Sequence, residues 1–581
     1  MANMALSELP ADILNEILQH IWKPPPQYST YETWATRTAA EGECLRALCS
    51  ARLTCRALWR VATPLLFRVL HVSIDPKSVE AFDLLSKNPL VAAHAQGVVV
   101  NLAAYSSELA VNRLAFRKSR MREINELFNY WHYDFEFREP VDDQGNPDPE
   151  YEEYERLDCE ISCLWSAWRE TQPSDDGEND DEEGADEEED EDAEGQRLKL
   201  AKYKDTLVNG FNEYARRRRE HIECLESPDT VKTLAAAISR LGCGGKLHFT
   251  TEQPPGLSRY NSIALNLLID NPDTLLRAIT QPHPWTIFDM EKDGETLEEI
   301  RVLSALPLAL HAAGVEITDL FVSCFPHYRG FPLLLSGHEQ QETDVELLLR
   351  QAFAKLELFE FGWTGMNSKG IRQELLPETE ASPMHAYIRA VLSSSHLQRV
   401  GMSFRTYGVA SGRGLSHEAA FSLGPTLLPF CSLTLSRFCL SNVQLKQDEL
   451  GPVLKQLGQS LRFFFIYAIQ LLDGAWAPLL EVIRDSTAWR CREGRCRALL
   501  SGLTGGELGV PREPKRDKWF GICIPVRSVP REVLLEECEK FISGERDTNP
   551  LRELSGDEDL DPASDDGSAE SAADRDDVAL I

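Results

Sequence analysis

Apolar residues recur along this chain with two different periods, and the change from one to the other divides it. Ile13, Leu14, Ile17, Leu18 and Ile21 follow Leu9-Pro10 at the three-and-four spacing of one helix stripe. Pro10 suits the first turn, where an N–H would be unpaired anyway and a fixed φ already favours a helix. Leu45, Leu48, Cys49, Leu53, Leu58, Val61 and Leu65 continue the same logic, so two or three short amphipathic helices are expected before Phe67. Between the two sets, residues 23–43 carry Pro24-Pro25-Pro26, which cannot continue a helix and marks a loop.

Beyond Phe67 the pattern alternates. His71-Val72-Ser73-Ile74 predicts a strand, residues 75–87 a helix stopped by Asn88-Pro89, and residues 98–102 a buried strand. Residues 112–168 read as helical and crowded with rings, among them Phe128, Tyr154, Trp165 and Trp168. Their neighbours Asp134, Glu136, Glu139, Asp142 and Asp143 would repel phosphate, so these rings are expected to pack in a core or on a partner protein. After the turn Gly242-Cys243-Gly244-Gly245 a strand is expected at 246–249, then at 317–322, 356–361, 397–402, 435–440 and 461–466. Helical stretches at 296–313, 344–354, 383–394, 448–457 and 476–484 precede or separate them. These last five strands begin about 26 to 41 residues apart, a period that implies a solenoid of strand–helix units, each covering its neighbour's apolar face. Residues 519–524 read as a closing strand and 530–542 as a last helix.

Three stretches carry a likeness to a known family. Leu9-Pro10 with Ile13, Ile17 and Leu18 comes first, then Arg52-Leu53-Thr54-Cys55-Arg56-Ala57-Leu58-Trp59, then Ala62-Thr63-Pro64-Leu65-Leu66-Phe67-Arg68. In that order they resemble the F-box of fungal F-box proteins, although residues 23–43 stand where a typical F-box has a very short link. The resemblance implies docking on a Skp-type adaptor, and through it a cullin, while the remaining chain holds a protein substrate for ubiquitylation. It would place the adaptor-binding side chains at Leu9, Pro10, Ile13, Ile17, Leu18, Leu45, Leu48, Leu53 and Leu58. The strand–helix region resembles the degenerate leucine-rich arrays of F-box proteins, best at Leu440-Ser441-Asn442-Val443 and Gly474-Ala475-Trp476, without an asparagine ladder.

The expected fold class is therefore mixed α/β. A helical F-box-like module spans 1–70 with its insertion at 23–43, and a strand–helix connector with the aromatic-rich helices spans 71–172. A disordered acidic insert (173–196), a helical linker (197–245), an irregular leucine-rich-repeat-like solenoid (246–503), a cap (504–543) and a disordered acidic tail (544–581) follow.

Charge changes this picture only locally. The net charge of −33 is concentrated: residues 174–195 hold fifteen acids and no base, and residues 544–581 hold thirteen acids against three arginines. Such runs repel themselves and lack the apolar surface that offsets chain entropy, hence the expectation of disorder. Arg216-Arg217-Arg218-Arg219 is either a nuclear-localisation type of patch or a helix face balanced by Glu213 and Glu220, and the second reading is preferred.

No apolar run approaches the ~20 residues that span a bilayer, and no secretory signal opens the chain, so an intracellular setting, cytoplasmic or nuclear, is expected. The fourteen cysteines form no disulfide framework. Cys159 with Cys163 and Cys491 with Cys496 lack the second pair a zinc site needs. Nucleophile elbows, His-Glu-x-x-His, Walker A and kinase signatures are absent, and His94, His248, His283 and His327 stand without visible catalytic partners. The expectation is an adaptor subunit and no enzyme, with no cofactor, metal, nucleic acid or membrane among its partners. The alternative is a scaffold or chaperone, outside any ligase, that holds basic proteins through the array and the acidic segments.

Overall fold

The computed structural model describes residues 10–21, 39–135, 149–169, 191–243, 245–251, 271–285, 298–324, 342–362, 378–404, 421–427, 434–457, 460–494, 496–508 and 531–555. Three helices open the chain: α1 (Ala11–Ile21), α2 (Ala39–Thr54) and α3 (Arg56–Leu66). The last five residues of the expected 23–43 loop are thus the first turn of α2, and 22–38 lie outside the described residues.

Nine strands then form a single parallel sheet in chain order: β1 (Val69–Ser73), β2 (Gly97–Asn101), β3 (Lys246–Thr250), β4 (Asp319–Val322), β5 (Leu358–Phe361), β6 (Arg399–Ser403), β8 (Arg437–Ser441), β10 (Phe463–Tyr467) and β12 (Arg497–Ser501). Register places like side chains beside like. Leu70, Val98, Leu247, Leu320, Phe359, Val400, Phe438, Phe464 and Ala498 make one row, and Val72, Val100, Phe249, Val322, Phe361, Met402, Leu440, Ile466 and Leu500 the next. Every member of both rows is buried.

A layer of helices covers these rows. α4 (Pro76–Ser86) starts on the Asp75 side chain, which accepts the Ser78 N–H at 2.9 Å, and α5 (Pro89–His94) starts on Asn88, which accepts from Leu90 at 3.0 Å. Asn88-Pro89 therefore ends one helix and begins another. Four long or linking helices follow: α6 (Ser107–Val111), α7 (Arg113–Phe135), α8 (Pro149–Arg169) and α9 (Glu191–Glu226). The covering layer resumes with α10 (Pro228–Ser239) and, after α11 (Pro272–Ile279), α12 (Val302–Ala312), α13 (Glu342–Ala352), α14 (Glu378–Leu392), α15 (Gln447–Gln456) and α16 (Trp476–Arg492). α4 packs on α10, α10 on α12, α12 on α13 and α13 on α14, and α15 packs on α16.

The strands of the later units begin two residues after the expected positions, for a reason visible in the hydrogen bonds. The Thr318 carbonyl accepts from both Glu357 and Leu358, that of Glu357 from Gln398 and Arg399, that of Gln398 from Ser436 and Arg437, and that of Ser436 from Arg462 and Phe463. Each unit is thus joined to the next by a two-donor fan before ladder pairing starts, while the preceding Ile317, Leu356, Leu397, Leu435 and Leu461 are already buried. Strand β12 went unforeseen because small Ala498 occupies its inner row and thins the apolar signal.

A second parallel sheet is made by short strands that leave the first: β7 (Phe421–Ser422), β9 (Val443–Lys446), β11 (Gln470–Asp473) and β13 (Thr504–Gly505). Between the sheets the backbone turns through positive φ at Asn442 (59°), Ala468 (50°) and Gly502 (64°). Asparagine and glycine tolerate this region readily. Inside the bend the Gln444 side-chain amide donates to Gln470 at 2.9 Å, both side chains buried, which ties neighbouring strands of the second sheet together.

The helices α7, α8 and α9, with α11, carry a separate core of Phe116, Phe128, Leu157, Trp165, Trp168, Tyr203, Leu207, Tyr214 and Leu275. Phe128 stacks on Tyr154 with ring centres 5.8 Å apart, and the Trp168 indole donates to the Tyr203 carbonyl at 2.9 Å. Helix α9 starts at Glu191, so the end of the acidic insert, expected to be disordered, is helical. The tail departs from expectation in the same way. After α17 (Arg531–Ser543), helix α18 (Pro550–Ser555) docks by a fully buried Leu551, and the Asn549 amide donates to the Ala477 carbonyl at 2.9 Å. Residues 519–524, 174–190 and 556–581 lie outside the described residues.

Candidate docking surface

In the N-terminal module the apolar stripe of α1 splits between two sides. Leu14 and Leu18 enter a small core with Leu48 of α2 and Leu58, Val61, Ala62 and Leu65 of α3. Ile13 and Ile17 face away and are 41% and 36% exposed. Leu53, at the end of α2, is 84% exposed. Helix α3 is fixed locally: the Cys55 thiol accepts the Leu58 N–H at 3.5 Å, and the Phe67 N–H donates to Thr63 at 3.1 Å. The guanidinium of Arg52 lies over the Phe67 ring at 5.3 Å and ties α2 to the end of α3.

The nine residues expected to bind an adaptor therefore separate. Leu18, Leu48 and Leu58 are core, because three short helices need those side chains to hold together. Pro10, Ile13, Ile17 and Leu53 are available on the surface. Leu9 and the side chain of Leu45 lie outside the described residues. Burying an exposed leucine or isoleucine is worth about 1.5–3 kcal/mol, so these three aliphatic groups are a reserve of binding energy that folding leaves unused.

Sequence reasoning missed a cleft of about 380 Å³ where the module meets the sheet. Asn15 of α1, Arg60, Pro64 and Leu65 of α3, Arg68, His94 and Gln96 line it. The Gln96 N–H donates to the Arg68 carbonyl at 2.6 Å and Arg68 Nε donates to the Gln96 side chain at 3.3 Å, which fastens α3 to the turn after α5.

A buried polar cluster gathers around Arg120. Arg120 of α7 donates to the Gln281 carbonyl at 2.9 Å and pairs with Glu123 at 2.7 Å, while its guanidinium lies over the rings of Phe116 and Tyr214. His283 Nε2 is 2.8 Å from Glu123, and its Nδ1 is 3.4 Å from the Tyr214 hydroxyl, which accepts the Ser106 N–H at 2.8 Å. Burial would raise the Glu123 pKa, but Arg120 and His283 outweigh it and hold the carboxyl well below the usual range. Burial pushes the Tyr214 phenol up, so it stays protonated. His221 bridges the Ile74 carbonyl and Glu299, at 2.6 Å each. These groups fasten the α7–α9 helices to the sheet.

The remaining histidines have partners of a structural kind. His94 Nδ1 is 2.9 Å from the Leu90 carbonyl, and His248 Nε2 is 2.9 Å from Ser323 Oγ. Burial lowers the His248 pKa to about 3 and keeps it neutral, while His327 lies outside the described residues. In the basic run, Arg216 and Arg217 both pair with Glu213 at 2.7 Å and Arg216 also with Glu220. Hydrogen bonding from Arg216 lowers the Glu213 pKa to about 2. Among the described residues no three His, Cys, Asp or Glu side chains gather as a metal would require, and no helix is long and apolar enough to cross a membrane. The described cysteines are free thiols. No protein family, curated protein or solved structure matched the chain.

Proposed function

We propose that this chain is a substrate-recognition subunit of a Skp/cullin/F-box-type ubiquitin ligase. The N-terminal module docks on the Skp-type adaptor, and the array behind it is a leucine-rich-repeat-like solenoid that holds a protein substrate. The observation that carries the reading is the division within the module: its core is closed by Leu14, Leu18, Leu48 and Leu58, yet Ile13, Ile17 and Leu53 remain outside. A helical docking interface draws its energy from a few such apolar anchors. The chain-ordered parallel sheet supports the array half of the reading. Catalysis here is proximity: a tethered substrate meets the ubiquitin carrier at a raised effective concentration, so no residue of this chain enters the chemistry.

The test is binding of the purified full chain to a purified Skp-type adaptor, measured by calorimetry. Ile17→Glu with Leu53→Glu should weaken binding at least about tenfold, since each change removes an anchor and inserts a charge into an apolar contact. Absence of binding by the wild-type chain, or undiminished binding by the double variant with unchanged thermal unfolding, refutes the assignment.

A further inference from the structure

The sheet has a second face, opposite the helix layer, and it changes character along its length. Through β2 to β5 its middle row is closed, with Val99, His248, Phe321 and Glu360 all buried. From β6 onward it opens. Gly401, Phe465 and Leu499 in the same row are half-buried although Cys439 between them stays buried, and Tyr467 in the next is 37% exposed.

The open part has a particular composition. Strand alternation points Arg399, Gly401 and Ser403, Arg437, Cys439 and Ser441, Phe463, Phe465 and Tyr467, and Arg497, Leu499 and Ser501 to this face. Those twelve positions hold three arginines and no acid, although Arg399 lies 4.0 Å from Asp319, in its own row two strands back. Register aligns Arg399, Arg437, Phe463 and Arg497 in one row across four strands, a span of roughly 14 Å at the usual strand spacing. Arg437 lies over the Phe463 ring at 4.9 Å, and the rings of Phe465 and Tyr467 stack at 6.1 Å. Half-exposed rings flanked by arginines are the composition of a recognition surface, where aromatic and arginine anchors dominate binding.

We propose that this arginine–aromatic face is a docking surface for an acidic extended segment, and that its occupant is residues 556–581 of the same chain. Two observations select that segment. It holds ten acids and one arginine, with Leu560, Val578 and Leu580 interspersed. It also starts at the right end of the molecule. Ser555 closes α18, which packs on α16 and α17, and α17 covers the outer edge of β12, where Glu539 accepts the Leu500 N–H at 2.6 Å. From there 26 residues reach at most about 85–94 Å, ample to cross four strands. That the occupied face would compete with an external acidic substrate rests on the ligase reading; the docking itself does not.

A photo-crosslinking amino acid placed at Tyr467 in the full chain tests the docking. Irradiation followed by digestion and mass spectrometry should give intramolecular crosslinks mainly to peptides from 556–581. Raising the salt from 50 mM to 1 M should reduce them roughly tenfold, because exposed pairs are screened. Replacing the ten acids by Asn and Gln leaves the described chain unaltered and should reduce them to the same extent. Crosslinks to another segment or to a second copy, or an undiminished yield from the neutralised tail, overturn the proposal. The assay contains no adaptor, so its outcome is separate from that of the adaptor-binding test.

Discussion

The N-terminal module and the nine-stranded sheet are both written in leucine and isoleucine, yet they differ in what becomes of those residues. In the sheet the helix-facing rows continue from strand to strand beneath a layer of helices, so Leu320, Phe359, Val400 and Phe438 are consumed by self-packing. In the module three short helices close one side only, and Ile13, Ile17 and Leu53 stay outside. Periodicity identifies which residues lie on a line. It does not say whether anything within the chain covers that line.

The largest effect should come from breaking a row of the sheet. Phe359→Ala removes a fully buried ring between Leu320 and Val400 and should cost about 3–5 kcal/mol, read as a fall in denaturant midpoint. Acid should come next and should act on the sheet first, since no described member of the module's core titrates in that range. His248 has a folded pKa depressed to about 3 against about 6.5 unfolded, so the unfolded chain takes up a proton that the folded chain refuses. Its contribution is whole above pH 6.5 and falls by up to about 1.4 kcal/mol per unit as the pH drops from there towards 3. His248→Gln should flatten the decline in stability measured between pH 7 and 5. The smallest effect should be Leu53→Ala, which should shift stability by no more than about 0.5 kcal/mol in thermal unfolding. A large loss there would mean that Leu53 supports the fold and would erase the distinction between module and sheet.

Much of this division was legible in the sequence. The helices of the module, the strands at 246–249 and 317–322, and the repeated strand–helix order follow from period alone. Phe128, Trp165 and Trp168 pack in a core, one of the two outcomes left once the acids beside the rings argued against phosphate stacking. Other features depended on contacts far apart in the chain. Leu18 and Leu53 look alike in a helical stripe, and only the placement of α2 and α3 buries one and exposes the other. Strand β12 and helix α18 were hidden because their burial comes from partners: α17 covers β12, and Ala477 receives Asn549. The arginine–aromatic face was invisible for the same reason, since Arg399, Arg437 and Arg497 meet only through register.

The fan of hydrogen bonds that opens each later unit has a consequence for how this chain can change length. Returns from helix to strand are uniform, four to six residues at 313–318, 353–357, 393–398, 457–462 and 493–496. Those at 353–357, 393–398 and 457–462 end on the shared carbonyls, so one added residue there would shift a whole strand and turn its inner row outward. Connections leaving the strands differ widely, from a single residue between β8 and β9 to the long stretches after β3, β4, β5 and β6. In a parallel sheet these all depart from one rim. Growth by insertion is therefore channelled to that rim, away from the returns that set the register of the sheet.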